Sequence, residues 1–161
     1  MQLEESIITD FPFHRQQTCW TCGPAAMRMA LEKSGIKKSE KQLVRILKTN
    51  KIRGTWPRDF PRVAEKYKLD YVVERNAEIQ DLEYFQKQNY TLIVCYYFPK
   101  EKVDHYSVFK EMDSEKIYFY DPLLGNGHRY SLRYFNKIWR LDPKYDNEKH
   151  WLFGVKNKEL K

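Results

Sequence analysis

This chain lacks most of what would mark it as secreted, membrane-spanning or low in complexity. Its three cysteines are too few for a disulfide scaffold, and the odd count points to a reducing compartment. Six glycines and seven prolines exclude collagen-like and low-complexity classes. No run of about 18 apolar residues is present, so no membrane span is expected. Residues 1–10 carry Glu4, Glu5 and Asp10 and lack the basic-then-apolar order of a secretory signal. A cytoplasmic location is the expectation. No internal repeat or linker is visible in the 161 residues, so 1–161 reads as a single domain.

Charge of one sign is also scarce. Lys and Arg number 29 against 22 Asp and Glu, a net charge of +7 with no long basic block. The clusters at Lys37-Lys38 and from Lys48 to Arg53 are diluted by polar and apolar residues. No recognition helix or aromatic platform accompanies them, so nucleic acid is not an expected partner and a solvated basic surface is. Hydrophobic residues at 42% suffice for a core, and a charged fraction of 32% with mixed signs argues against disorder.

The pattern of elements is helices first and strands second. The first 20 residues read as irregular, with a short strand at 6–9. Cys22 opens a helical pattern with Ala25, Ala26, Met29, Ala30 and Leu31 at helical spacing, closed by Gly35. Thr18 or Thr21 is placed to cap it, and Pro24 sits in its first turn. A second helix starts at Ser39 with Leu43, Val44 and Leu47 on one face. A third follows Pro57 or Pro61, with Val63, Ala64 and Tyr67 inward. Residues 69–73 read as a strand and 79–88 as a helix. Residues 90–98 (YTLIVCYYF) form the strongest strand. Strands at 105–110 and 116–120 flank a turn at Asp113-Ser114. Residues 123–128 read as a glycine-containing loop, 131–139 as a helix and 151–155 as a closing strand. This is an α+β layout with an antiparallel sheet.

Within that layout four residues carry chemistry. Cys22 stands at a helix N-terminus, where unpaired backbone N–H groups and the macrodipole favour a thiolate, the nucleophilic form of the thiol. His105 begins a strand, and Asp121 lies sixteen positions later at the end of the next one. Antiparallel pairing brings such residues together, so that the carboxylate orients the imidazole. Gln16 precedes Cys22 by six residues. On the loop entering the helix its amide can donate, with the Cys22 N–H, to an oxyanion.

Gln16-x5-Cys22-Gly-Pro-Ala-Ala, then His105-Tyr-x-Val, then a strand ending Asp121-Pro122, resembles the double-glycine-leader peptidases. These are papain-like cysteine peptidases found on bacteriocin-exporting transporters and as stand-alone C39-like domains. The resemblance runs from Gln16 to about Trp139. It implies a papain-like fold, with a helical N-terminal half packed on the sheet and the cleft between them. It also implies Cys22 as nucleophile, His105 as general base, Asp121 as the residue orienting it and Gln16 as oxyanion donor. The substrate would be a peptide or protein, and the reaction needs no cofactor and no metal. Transfer of the acyl group to a nucleophile other than water would use the same residues. The family usually has an acidic residue before the nucleophile, where this chain has Thr21, and no ATPase or transmembrane part accompanies the motif, so leader cleavage does not follow from the match.

Other readings compete. A Cys19-x-x-Cys22 pair is also the spacing of a thiol redox motif, but no clear strand precedes it, and a Cys19–Cys22 disulfide would mask the nucleophile. A zinc site needs four ligands, and the third cysteine, Cys95, lies in an apolar strand run and reads as core. A non-catalytic peptide-binding module on the same fold is the remaining alternative. His14, His128 and His150 read as structural. Most of the tyrosines read as packing. Gly54 and Trp56, in a loop with one glycine and one large aromatic, are candidates for lining the substrate cleft.

Overall fold

A computed structural model describes residues 10–144 and 147–158. Its helices are α1 (Cys22–Lys33), α2 (Glu40–Ile46), α3 (Phe60–Lys66), α4 (Ile79–Lys87) and α5 (Leu132–Ile138). Its strands are β1 (Asp70–Glu74), β2 (Thr91–Phe98), β3 (Val103–Met112), β4 (Lys116–Asp121), β5 (Gly125–Ser131) and β6 (Leu152–Lys156). The strands form one antiparallel sheet in the order β1-β6-β2-β3-β4-β5.

β2 is central because both of its faces are apolar. Ile93 and Cys95 face the core shared with α1 to α3, whereas Leu92, Val94 and Tyr96 face a second core under α4 and α5. A strand buried on both faces has no polar alternation, which is why the run from Thr91 to Phe98 looks continuously apolar in sequence. β6 on one side and β3 on the other complete its hydrogen bonds.

α1 packs on β2 and β3 through Ala26, Met29, Ala30 and neighbours that are fully buried. Its end is a Schellman motif: Gly35 N–H donates to Glu32 O and Ile36 N–H to Leu31 O, each at 2.9 Å. Gly35 takes φ of 85°, the left-handed conformation this cap demands. The start differs from expectation. Thr21 occupies the N-cap but makes no side-chain cap bond. Its hydroxyl instead bonds Thr18, with Thr18 N–H and carbonyl at 3.1 and 3.2 Å, so it shapes the loop rather than the helix. In α2, Ser39 and Gln42 form the reciprocal capping box.

Residues 125–131 are the main correction to the sequence reading. They form β5, the edge strand beyond β4, where a loop was expected over 123–128. Gly125 and Gly127 take φ of 119° and 90°, and the pairing slips between Phe119↔His128 and Tyr120↔Asn126. The glycines therefore mark a bulge and not a loop, because a neighbouring strand supplies the hydrogen bonds that propensity alone does not foresee. The strand expected at 6–9 lies outside the described residues. Among the described residues no helix is long and apolar enough to cross a membrane.

Candidate active site

Cys22 is the first residue of α1, so its backbone N–H and that of Gly23 have no partner within the helix, whereas Pro24 has no N–H and Ala25 N–H donates to Thr21 O at 3.0 Å. Gly23 next to it is forced by packing. A Cβ there would lie 2.4 Å from Thr55 Oγ1 and 2.8 Å from Thr55 Cβ. The loop carrying Thr55 is thus pressed directly on the first turn of α1. It is held there by Thr49 Oγ1 at 2.7 Å from Thr55 Oγ1 and by the Tyr106 hydroxyl, which donates to Thr55 O at 2.7 Å.

His105 is buried in β3, and its Nε2 lies 2.8 Å from Asp121 Oδ1 at the end of β4. Cys22 lies near enough to act on the imidazole and raise its pKa. With Nε2 engaged by the carboxylate, Nδ1 is the atom left for the thiol. Phe98 stacks on the imidazole with centroids 4.9 Å apart and 20° between planes, and Tyr96 meets it edge-on at 5.4 Å. Burial pulls the imidazole pKa down, but the bonds and charges of Asp121 and Cys22 outweigh it and push the value up to about 9. Asp121 moves the opposite way. Burial alone would raise its carboxyl, yet the bond to His105, with help from Tyr96 and Leu124, holds it below the usual carboxylate range.

Asp121 is fully buried and fully used. Oδ1 accepts from His105 and from the Leu123 and Leu124 N–H groups, each at 2.8 Å. Oδ2 accepts from the Tyr96 hydroxyl. The turn that Asp-Pro announces and the grip on histidine are therefore both made by this one carboxylate.

Gln16 lies against the same turn. Its backbone N–H donates to Pro122 O at 2.9 Å, and the Arg15 guanidinium donates to Leu123 O at 3.1 Å. On the other side Gln17 N–H is held by both oxygens of the buried Glu40 carboxylate at 3.1 Å. The Gln16 Nε2 donates to Thr18 O at 2.7 Å, which leaves its second amide hydrogen unused, and its Oε1 is buried without a hydrogen-bond partner.

The structure thus joins His105 to Asp121 by a hydrogen bond, brings Cys22 near enough to act on the imidazole and fixes Gln16 beside the Asp121 turn. Of the two candidate cleft residues, Gly54 takes φ of 70° in a turn closed by reciprocal backbone bonds with Asn50. Trp56 is half-buried under the guanidiniums of Arg53 and Arg58, at 5.8 and 5.4 Å from its ring centroid. It is Thr55, between them, that touches the nucleophile's turn. Cys19 is exposed and unbonded to Cys22, and Cys95 is fully buried with its thiol pKa pushed up by that burial.

Sequence reasoning missed Tyr96, Phe98, Thr55 and Glu40. The first two had a legible signal. The four-residue polar run 99–102 makes 91–98 and 103–112 a hairpin, and counting outward from it sets Tyr96 opposite His105, as observed. Thr55 and Glu40 arrive through tertiary packing and had none.

A sequence profile of the Peptidase C39 family matches residues 10–141, a span that includes the four candidate residues. The chain belongs to the Peptidase C39 family. It is a papain-like cysteine peptidase. Among solved structures the peptidase domain of Streptococcus ComA, a bi-functional ABC transporter involved in a quorum sensing pathway, is 20% identical, with a TM-score of 0.74 over 92% of this chain and 100% of that one. A putative C39-like peptidase from Bacillus anthracis is 12% identical, with a TM-score of 0.75 over 95% and 98% of the two chains. A double glycine motif protease from an AMS/PCAT transporter, solved in complex with its leader peptide, is 17% identical, with a TM-score of 0.68 over 92% and 93%. No curated protein matches.

Proposed function

We propose that this C39 peptidase cleaves peptide bonds with Cys22 as nucleophile, His105 as general acid and base, Asp121 as the residue orienting His105, and Gln16 as oxyanion donor. The observation that carries the assignment is the buried His105–Asp121 hydrogen bond set beside Cys22 at the start of α1. An imidazole pushed up to about 9 keeps its proton at neutral pH, so it already holds the proton the leaving group will need.

Thiolate attack on the carbonyl carbon forms the C–S bond and moves the carbonyl π pair onto oxygen. The Cys22 N–H and the spare Gln16 amide hydrogen stabilise that oxyanion. Collapse expels the amine, which takes the imidazolium proton from His105. Water then loses a proton to the neutral imidazole as its oxygen bonds the acyl carbon, and collapse of that second tetrahedral species breaks the C–S bond, releasing the acid and leaving thiolate and imidazolium as at the start. Asp121 stays ionised throughout and keeps Nδ1 aimed at the sulfur.

The substrate is an extended peptide or protein segment. The leader peptide bound to the AMS/PCAT transporter protease supports that class. Labelling with a thiol-reactive, peptide-like probe and mapping the modified cysteine tests the reading. Modification confined to Cys22, and lost in His105→Ala, is the expected result. Equal modification of Cys19 and Cys22 favours the redox alternative and overturns it.

A further inference from the structure

Glu40 opens α2 and is only 2% exposed. Both oxygens of its carboxylate accept from Gln17 N–H, at 3.1 Å each. Burying a carboxylate is costly, and an apolar side chain of similar volume often leaves a fold as stable. What the carboxylate adds is a fixed place for one backbone N–H.

That N–H belongs to the residue between the proposed oxyanion donor and the carbonyl that orients it. Gln16 Nε2 donates to Thr18 O at 2.7 Å, so the side chain of residue 16 folds across residue 17. Thr18 O also accepts from the Thr21 hydroxyl at 3.2 Å, and Thr18 N–H donates to Thr21 Oγ1 at 3.1 Å. These bonds tie the loop to the residue just before Cys22. On the upstream side Gln16 N–H donates to Pro122 O at 2.9 Å. Two successive backbone N–H groups are therefore clamped, one to the turn that carries Asp121 and one to α2, which packs on α1. The Gln17 side chain is exposed, so the loop is held here through its backbone.

Two clamps matter because an oxyanion donor acts over a narrow range, about 2.7–3.1 Å from the oxygen that becomes charged. A misplacement of about 1 Å costs up to about 10²-fold in rate. The Pro122 clamp sets Gln16 relative to the His105–Asp121 pair. The Glu40 clamp sets it relative to the helix that starts with Cys22.

We propose that Glu40 is a positioning residue for the oxyanion hole, holding the Gln16 amide in place through Gln17 N–H. The inference rests on Gln16 being the oxyanion donor. Peptide turnover and alkylation of Cys22 by iodoacetamide, measured on the same full-length variants, test it. Alkylation displaces iodide from a saturated carbon and develops no oxyanion, so it reads the Cys22 thiolate and not Gln16. Glu40→Leu is expected to lower kcat roughly 10- to 100-fold with KM little changed, and to leave the alkylation rate within about twofold. Glu40→Gln keeps an acceptor oxygen at the same reach and should retain most of kcat. Glu40→Asp keeps the charge but falls one methylene short, and should retain less. In a Gln16→Ala background Glu40→Leu should add little, because the donor it places is gone.

Alkylation that falls in step with kcat in Glu40→Leu would make Glu40 a support of the whole site and overturn the proposal. A second full loss in the Gln16→Ala background would overturn it as well. If Glu40→Leu does not fold, the order of the other two variants decides, and Glu40→Asp more active than Glu40→Gln overturns it. An impaired Gln16→Ala beside an unimpaired Glu40→Leu overturns this proposal alone. Unchanged kcat in Gln16→Ala overturns the oxyanion assignment and this proposal with it.

Discussion

The Tyr96 hydroxyl donates to Asp121 Oδ2, and Tyr96 stands directly opposite His105 in the β2–β3 pairing. One buried phenol therefore braces the carboxylate while its ring edge meets the imidazole that the carboxylate holds. Tyr96→Phe removes the donor and keeps the ring. A hydrogen bond to a charged group contributes about 1.5–3 kcal/mol. The expected result is a fall in kcat of roughly 10- to 100-fold with KM little changed, because the loss is in the aim of His105 and not in substrate contacts. An equal loss spread over kcat and KM would assign Tyr96 to the binding surface instead. Steady-state kinetics with one peptide substrate decide it, after circular dichroism has shown a folded variant.

The ion pair between His105 and Asp121 ties stability to pH. His105 is raised from 6.5 to about 9, so its contribution is fully present below pH 6.5 and is lost as pH rises to 9. Asp121 is lowered, so its contribution is present above pH 3.8 and is lost as pH falls through its depressed value. The two describe one pair and are not added. For His105 the shift corresponds to about 3 kcal/mol. Melting temperatures measured from about pH 5 to about pH 10 should fall between 6.5 and 9 in the wild-type chain. The fall should be flatter in His105→Ala. Parallel curves for the two proteins would remove this pair as the cause.

The nucleophile and base act as a unit, whereas a redox pair would need both N-terminal cysteines. Cys22→Ala should abolish turnover and His105→Ala should come close. Gln16→Ala should lower kcat by roughly 10²–10³, the usual effect of losing one oxyanion donor. Cys19→Ser should leave most activity, since the Cys19 side chain is exposed and not bonded to Cys22. A Cys19→Ser variant as inactive as Cys22→Ala, with Gln16→Ala unaffected, would return the chain to thiol-redox chemistry.

Where the chain signals itself and where it does not has a physical pattern. Cys22 at a helix start, His105 at a strand start and Asp121 before a proline are all local features, and local features can be read along a sequence. The row they form follows from hairpin pairing, which is nearly local as well. β5 was hidden because Gly125 and Gly127 look like loop residues until a partner strand supplies their ladder. Hairpin counting places Tyr96 opposite His105, but the part its hydroxyl plays was hidden, because bulk explains a tyrosine in the strongest strand as well as a hydroxyl does. Glu40 is polar on a helix surface in sequence, and its burial against Gln17 N–H depends on a loop 23 residues earlier.

The contact between Gly23 and Thr55 gives the sharpest steric test. A Cβ on residue 23 would lie 2.4 Å from Thr55 Oγ1 and 2.8 Å from Thr55 Cβ. Neither atom is the free end of a long side chain, and Thr55 is itself tied by Thr49 and Tyr106. Gly23→Ala must therefore push the loop or the start of α1, an overpacking that costs roughly 1–3 kcal/mol. Cys22 sits on that same turn, so activity should fall further than stability alone requires, and alkylation of Cys22 should slow even in chains that remain folded. Thr55→Ala removes Oγ1 but not Cβ, so it should restore only part of the loss in the Gly23→Ala background. Thr55→Gly clears both atoms and should restore more of the labelling rate, at its own entropic cost of roughly 0.5–1 kcal/mol. The double-mutant cycle is read by melting temperature and by the rate of Cys22 labelling. Strictly additive effects of the two substitutions would mean that Thr55 is not what makes residue 23 a glycine.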